Sequence, residues 1–299
     1  MIGEEAMTES FIKYIQYEKR YSPHTITAYQ NDLKQFYDFI LEAYEVSEIT
    51  DVNHIFIRSW IVSLMEQKIT PRSINRKITT LKTYYKFLLR EGIVEANPMQ
   101  KILSPKTSKR LPVFVDKSTM NHLLDDVQFG DDYIGLRDQF IIELFYATGM
   151  RLAELVGMKD SSIDLFNNNL KVLGKRNKER IIPFSNPMKG LIVKYLEVKK
   201  SDEVMKQSDY LFLNKEGKQI SREQVQKLVK KYLTMVTTID KKSPHVLRHS
   251  FATNMLNNGA EINSVKELLG HSSLAATQVY THNTIDKLKN IHKQAHPKA

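Results

Sequence analysis

The chain contains no cysteine, which excludes disulfides and thiolate chemistry. Long apolar runs are missing too. None approaches the roughly 18 residues a membrane helix requires, and the most apolar segment, Phe140 to Tyr146, is interrupted by Glu143. The first residues, Met1 to Phe11, carry Glu4, Glu5 and Glu9 and no apolar core, so no signal peptide is expected. These absences make a cytoplasmic location the expectation, with no membrane partner. Internal repeats and low-complexity tracts are also absent. Acid is the charge in short supply: 34 Asp and Glu stand against 44 Lys and Arg, a formal charge of +10. A surplus of that size favours a polyanionic partner such as nucleic acid or an acidic surface.

With 299 residues the chain exceeds one ordinary core and fits two domains. Residues 7–100 read as helical. Ser22-Pro23 and Thr70-Pro71 each set a capping residue before a proline suited to the first helical position. Ile26, Tyr29, Leu33, Phe36 and Ile40 then recur at helical spacing, as do Ile74, Ile78, Leu81, Tyr85 and Leu88. Residues 99–112 hold two prolines, four cations and no acid, the composition of a linker. The expected division is 1–107 and 108–299. The second half reads as mixed. Residues 138–148 form a buried helix ended by Gly149. Leu170 to Gly174 and Arg180 to Phe184 form a hairpin around the polar turn Lys175 to Glu179. Tyr210 to Leu213 is a candidate third strand. From Ser221 the pattern is helical, broken at Pro244, Gly259 and Gly270.

From Gln67 to Arg90 there are seven cations and no acid. The apolar stripe takes one face, and Arg72, Arg76, Thr83, Lys86 and Arg90 fall largely on the other, with Lys77 among the same cations. A helix lacking local ion pairs gives up i,i+4 stabilisation. DNA phosphates would supply the counter-charge, although a solvated basic face has the same pattern.

Four stretches of the second half carry chemistry: ATGMRLAEL (147–155), VLGKRNKERIIP (172–183), HVLRHSFAT (245–253) and LGHSSLAATQVYTH (269–282). Phosphodiester cleavage builds negative charge on the non-bridging oxygens, and guanidinium groups suit it because they stay charged and bind in a fork. Arg151 and Arg248 are the candidates. Spacing i,i+3 sets His245 on the face of Arg248. Tyr280 offers a phenol nucleophile, which needs surrounding cations and a base such as His245 to lose its proton. Lys175, at the hairpin tip, suits the general acid that protonates the leaving 5′-oxygen. His271 follows Gly270, just before Ser272 or Ser273 as a capping residue. His249 is read as structural or as a support to the residues that act. Each residue alone also has an ordinary reading: Arg151 as the ion-pair partner of Glu154 or Glu143, Lys175 as a turn lysine.

Taken together in order, these stretches resemble the signature boxes of the tyrosine recombinases, in particular the Xer group, and the resemblance covers nearly the whole chain. It implies a mainly α fold with a small β-sheet or hairpin in the C-terminal domain. A helical, SAM-like core-binding domain and a mixed α/β catalytic domain would form a C-shaped clamp on DNA. It implies that Arg151 and Arg248 clamp the scissile phosphate, that His271 hydrogen-bonds a non-bridging oxygen, and that Tyr280 forms a 3′-phosphotyrosine link. It implies no cofactor, no metal and no ATP. The implied partners are double-stranded DNA with a specific recombination site, a homo- or hetero-tetramer with a second recombinase of the same group, and a septal DNA translocase. Dimer resolution of chromosomes or plasmids is the implied role; integration of a mobile element, a catalytically silent DNA-binding relative and a type IB topoisomerase are the alternatives. Ala153, Val246, Arg176, Ala275 and Ala276 depart from the group's pattern. They are expected to alter DNA contacts or regulation.

Overall fold

The computed structural model describes residues 4–106, 113–174 and 179–270. The chain divides into two compact units, Met1–Arg110 and Leu111–Ala299.

The first unit is helical: α1 (Glu4–Lys13), α2 (Pro23–Tyr44), α3 (His54–Glu66) and α4 (Pro71–Arg90). Ser22 Oγ accepts from the Thr25 amide and Thr70 Oγ1 from the Ser73 amide, each with proline at the first helical position. These caps satisfy amides that a helix start leaves orphaned. Phe11, Leu33, Phe36, Trp60, Ile74, Leu81 and Tyr85 are buried in one core. Within it the Tyr37 and Tyr84 hydroxyls pair at 2.7 Å, so neither phenol is buried without a partner.

The second unit contains α5 (Lys117–Asp125), α6 (Tyr133–Thr148), α7 (Leu152–Val156), α8 (Asn186–Ser201), α9 (Arg222–Val236), α10 (Pro244–Asn257) and α11 (Ile262–Leu269). Among the described residues the unit holds one three-stranded antiparallel sheet, ordered β1 (Ile163–Asp164), β2 (Asn169–Leu173), β3 (Glu179–Pro183), with Leu170, Val172 and Ile182 in the core. The hairpin expected around Lys175 is present, with Leu173 opposite Glu179 as the pair nearest the turn; residues 175–178 lie outside the described set. The third strand is not the expected one. Tyr210 to Leu213 makes only isolated bridges, Lys159 with Tyr210 and Leu213 with Gln219. Its amides bond to other loops: Leu211 donates to the Met158 carbonyl, and the Phe212 carbonyl accepts from Ile220. A short apolar run bounded by turns is buried here without joining the ladder, which periodicity alone does not distinguish.

Helix α6 is buried on nearly every side. It ends at Gly149, whose φ of 59° is left-handed and whose amide bonds to the Phe145 carbonyl. A Cβ there would lie 2.5 Å from Phe251 Cδ1 and 2.8 Å from Leu269 Cδ2. Glycine is therefore required twice, by its φ and by the close approach of α10 and α11.

Gly149→Ala should combine a left-handed penalty of about 1 kcal/mol with overpacking of about 1–3 kcal/mol. Gly92, at φ 70° with open space around it, should bear the first alone on substitution by alanine. The lone Trp60 belongs to the first unit, so the comparison is read by far-UV circular dichroism in urea. Equal losses from the two variants would show that the close approach costs nothing.

Candidate active site

A cleft of about 590 Å³ opens in the second unit. It is lined by Arg151, Leu152 and Ala153 of the α7 start, Arg222 and Gln226 of α9, His245, Arg248, His249 and Ala252 of α10, and Leu269 of α11. The structure thus brings three of the six predicted catalytic residues, Arg151, His245 and Arg248, to one cleft. Lys175, His271 and Tyr280 and the Ser272 or Ser273 cap lie outside the described residues.

Arg248 is buried. Its Nη1 donates to the Gly149 carbonyl and its Nη2 to that of Leu269 at 2.7 Å. These oxygens belong to the C-terminal ends of α6 and α11, which lack intrahelical donors and carry partial negative charge. Arg151 stands at the α7 start. Its Nη2 donates to the Gly270 carbonyl at 2.8 Å and its Nη1 to Glu154 Oε1 at 2.9 Å, while its amide donates to Glu154 Oε2 at 2.8 Å. The two guanidiniums therefore reach consecutive carbonyls. Burial, and then the charges of Arg151 and Arg180, push the Arg248 pKa down to about 10, with Glu154 opposing. Arg248 remains a cation at neutral pH, held against like charges.

The counter-ion is Glu154, one of the two acids expected for Arg151. Its main partner is Arg180, a residue that no motif had singled out. Arg180 Nη1 and Nη2 donate to Glu154 Oε1 and Oε2 at 2.6 and 2.8 Å. Both side chains are buried. Burial pushes the Glu154 carboxyl up, but the hydrogen bonds and charge of Arg180, with those of Arg151, outweigh it and hold it below the ordinary carboxylate range. The pair therefore contributes stability at neutral pH that is lost as falling pH protonates Glu154. The available signal for Arg180 was strand alternation. It shares the buried face of β3 with Ile182, and an arginine on a buried face needs a buried acid.

Among the described residues, three guanidiniums against one carboxylate leave two positive charges under the cleft. His245 sits in the first turn of α10 and is exposed. Partial desolvation, then Lys241, Arg248 and His249, lower its pKa. The neutral imidazole dominates at pH 7. Among the departures from the group pattern, Ala153 lines the cleft. Val246 is buried in the core, which removes it as a DNA contact: an apolar side chain there faces α10's neighbours, not solvent.

The basic helix α4 differs from its expectation. Its missing counter-charge is Asp32 of α2, buried at 1% exposure. Asp32 pairs with Arg76, accepts from Lys77 Nζ at 3.0 Å and from Thr80 Oγ1 at 2.8 Å. Lys77 is buried and also lies 5.8 Å from the Trp60 ring, so it is a core residue, not a phosphate contact. Arg90 pairs with Glu18 at 3.1 Å and with Glu91 at 2.8 Å, and it stacks 4.1 Å over Tyr14. Thr83 Oγ1 donates to the Thr79 carbonyl. Arg72 and Lys86 are exposed, as is Arg76 in part. Among the described residues no cluster of His, Asp and Glu suits a metal ion, and no helix is long and apolar enough to cross a membrane.

A family model described as the phage integrase family matches residues 114–287, and one described as the phage integrase N-terminal SAM-like domain matches residues 8–92. The tyrosine recombinase XerC of Halalkalibacterium halodurans is 38% identical over 304 residues, covering 100% of this chain and 99% of that protein. XerC of Chlorobaculum parvum is 36% identical over 316 residues, covering 97% and 94%. The site-specific recombinase XerH, solved in a post-cleavage complex with its palindromic difH substrate, shares the fold with a TM-score of 0.70 at 20% identity, covering 95% of this chain and 83% of that one. With a helical SAM-like unit, a catalytic unit carrying a small sheet, and these full-length likenesses, the chain belongs to the phage integrase family of tyrosine recombinases.

Proposed function

We propose that this protein is a site-specific recombinase that cuts and rejoins DNA through Tyr280, in the service of chromosome or plasmid dimer resolution. The observation that carries the reading is the cleft itself: Arg151 and Arg248 side by side on a base with two positive charges in excess, and His245 at its rim. The curated relatives named XerC, alike over nearly their whole length, support the Xer role over integration of a mobile element.

In this mechanism a phosphate oxygen takes the place of the Leu269 and Gly270 carbonyls as acceptor for the two guanidiniums. The Tyr280 oxygen attacks phosphorus while its proton passes to neutral His245. The bond to the 5′-oxygen breaks, and Lys175 delivers a proton to that oxygen. His271 hydrogen-bonds a non-bridging oxygen. The product is a 3′-phosphotyrosine link, and reversal with a different 5′-hydroxyl rejoins the strand, so no ATP is consumed. Arg72, Arg76 and Lys86 of α4, exposed beside the buried Asp32 pair, would contact the DNA backbone. The working assembly is a tetramer on two DNA sites, with an identical or a second recombinase of the group. A septal DNA translocase as activator and the cytoplasm as location belong to the same reading.

The test is a nicked, end-labelled duplex carrying a candidate dimer-resolution site, incubated in EDTA and run on a denaturing gel. DNA attached to protein should form with the wild type and vanish in Tyr280→Phe. An adduct that persists in Tyr280→Phe would identify another nucleophile. Proton transfer to His245 has its own check. In the free protein its imidazole should titrate below the usual histidine midpoint of about 6.5, and Lys241→Ala should move that midpoint upward while leaving the desolvation effect. An NMR titration of the His245 ring that shows no lowering would remove the argument that it enters the reaction neutral.

A further inference from the structure

Arg180 meets no phosphate in the mechanism above, yet its buried contacts lead to residues that do. Both oxygens of Glu154 are taken by its fork, at 2.6 and 2.8 Å. The same carboxylate reaches Arg151 only through Nη1 and the backbone amide, which leaves Arg151 Nη2 turned to the Gly270 carbonyl. Gly270 in turn lies against Arg180: a Cβ there would stand 3.1 Å from its Nη1. Arg180 also pairs across the sheet with Val172 on β2, the strand that leads to the hairpin tip.

We propose that Arg180 is a positioning residue for strand cleavage, holding Glu154 so that the carboxylate aligns Arg151 without withdrawing it from the phosphate. The inference rests on the recombinase reading. A carboxylate and a guanidinium left alone form a two-pronged pair that uses both guanidinium arms. Arg180 occupies that mode, so Glu154 meets Arg151 edge-on with one arm. Without Arg180, Glu154 is a buried acid whose remaining cation is Arg151. It then turns fully onto Arg151, and the charge under the cleft falls from two positive to one.

This differs from a plain structural prop in one respect: removing the acid as well should help. Arg180→Met combined with Glu154→Gln restores two positive charges and leaves nothing to pull Arg151 aside. The measurement is single-turnover adduct formation on the nicked duplex, with equilibrium binding of the intact site measured beside it. Arg180→Met should slow adduct formation about 100-fold, the scale of an ångström-sized misplacement, with binding changed by less than about threefold. The double variant should recover at least about tenfold of that loss, a coupling that independent sites do not show. Arg180→Lys keeps the charge and loses the fork, and should slow the reaction about tenfold; it carries the test if Arg180→Met does not fold. A double variant no faster than Arg180→Met, a parallel loss of binding and rate, or unchanged rates in Arg180→Met or Arg180→Lys would each overturn the proposal. Failure of the wild type to form any adduct would overturn the recombinase reading itself, and this inference with it.

Discussion

Like charges cannot be gathered in a buried place without something to hold them, and in the catalytic unit that something is Glu154. Arg151, Arg180 and Arg248 approach one another beneath a single cleft, and an unpaired buried charge costs several kcal/mol. Glu154 meets two of them. Arg248 is satisfied differently, by carbonyls at the ends of α6 and α11. Those oxygens are the natural acceptors of the fold, since a helix leaves its last carbonyls without amides. The guanidiniums thus finish the helix ends, and the helix ends hold the guanidiniums in place until an anion arrives.

That arrangement constrains the backbone around it. The α6 terminus must come close enough to α10 for its carbonyl to reach Arg248, and the left-handed Gly149 turns the chain there without a side chain in the way. Gly270, at φ 61°, closes α11 over Arg180 by the same logic. Glycine at these two points belongs to the packing of the site. The buried α6 supplies the rigid support: a helix enclosed on nearly every side does not shift to accommodate a misplaced arginine.

Sequence patterns made local matters legible and left pairings between distant segments hidden. The proline caps at Ser22 and Thr70, the glycine end of α6 and the hairpin were readable because each depends on a few neighbouring residues. Helical spacing joined His245 to Arg248, whereas bringing Arg151 to the same cleft followed from the motifs alone. Lys77 was misread for a physical reason. No acid lies between Gln67 and Arg90, so the run looked uncompensated, whereas its counter-ion, Asp32, sits on another helix 45 positions away. Arg180 was missed in the same way, its acid being 26 positions earlier. The helices α5 and α8 drew no expectation. Helix α8 has Ser185 at its cap position, but its proline, Pro187, comes one position later than in α2 and α4, so the pattern is displaced. The Tyr210 to Leu213 run shows the opposite failure: a strand-like composition used to fill a core between loops.

The charge balance also bears on why the base of the cleft has, among the described residues, one acid rather than none or two. A bound phosphodiester carries one negative charge, and its pentacovalent form carries about one more. Two positive charges in excess match the second state and over-match the first. With a second carboxylate the base would suit the ground state, and binding strength would be gained without rate. With none, the three arginines would repel one another in the free protein; the Arg248 pKa is lowered first by burial and then by Arg151 and Arg180, with Glu154 the charge that opposes them. A single shared carboxylate is the composition that lets the guanidiniums coexist before DNA binds. It also reserves their full attraction for the charge that develops as the phosphorus is attacked.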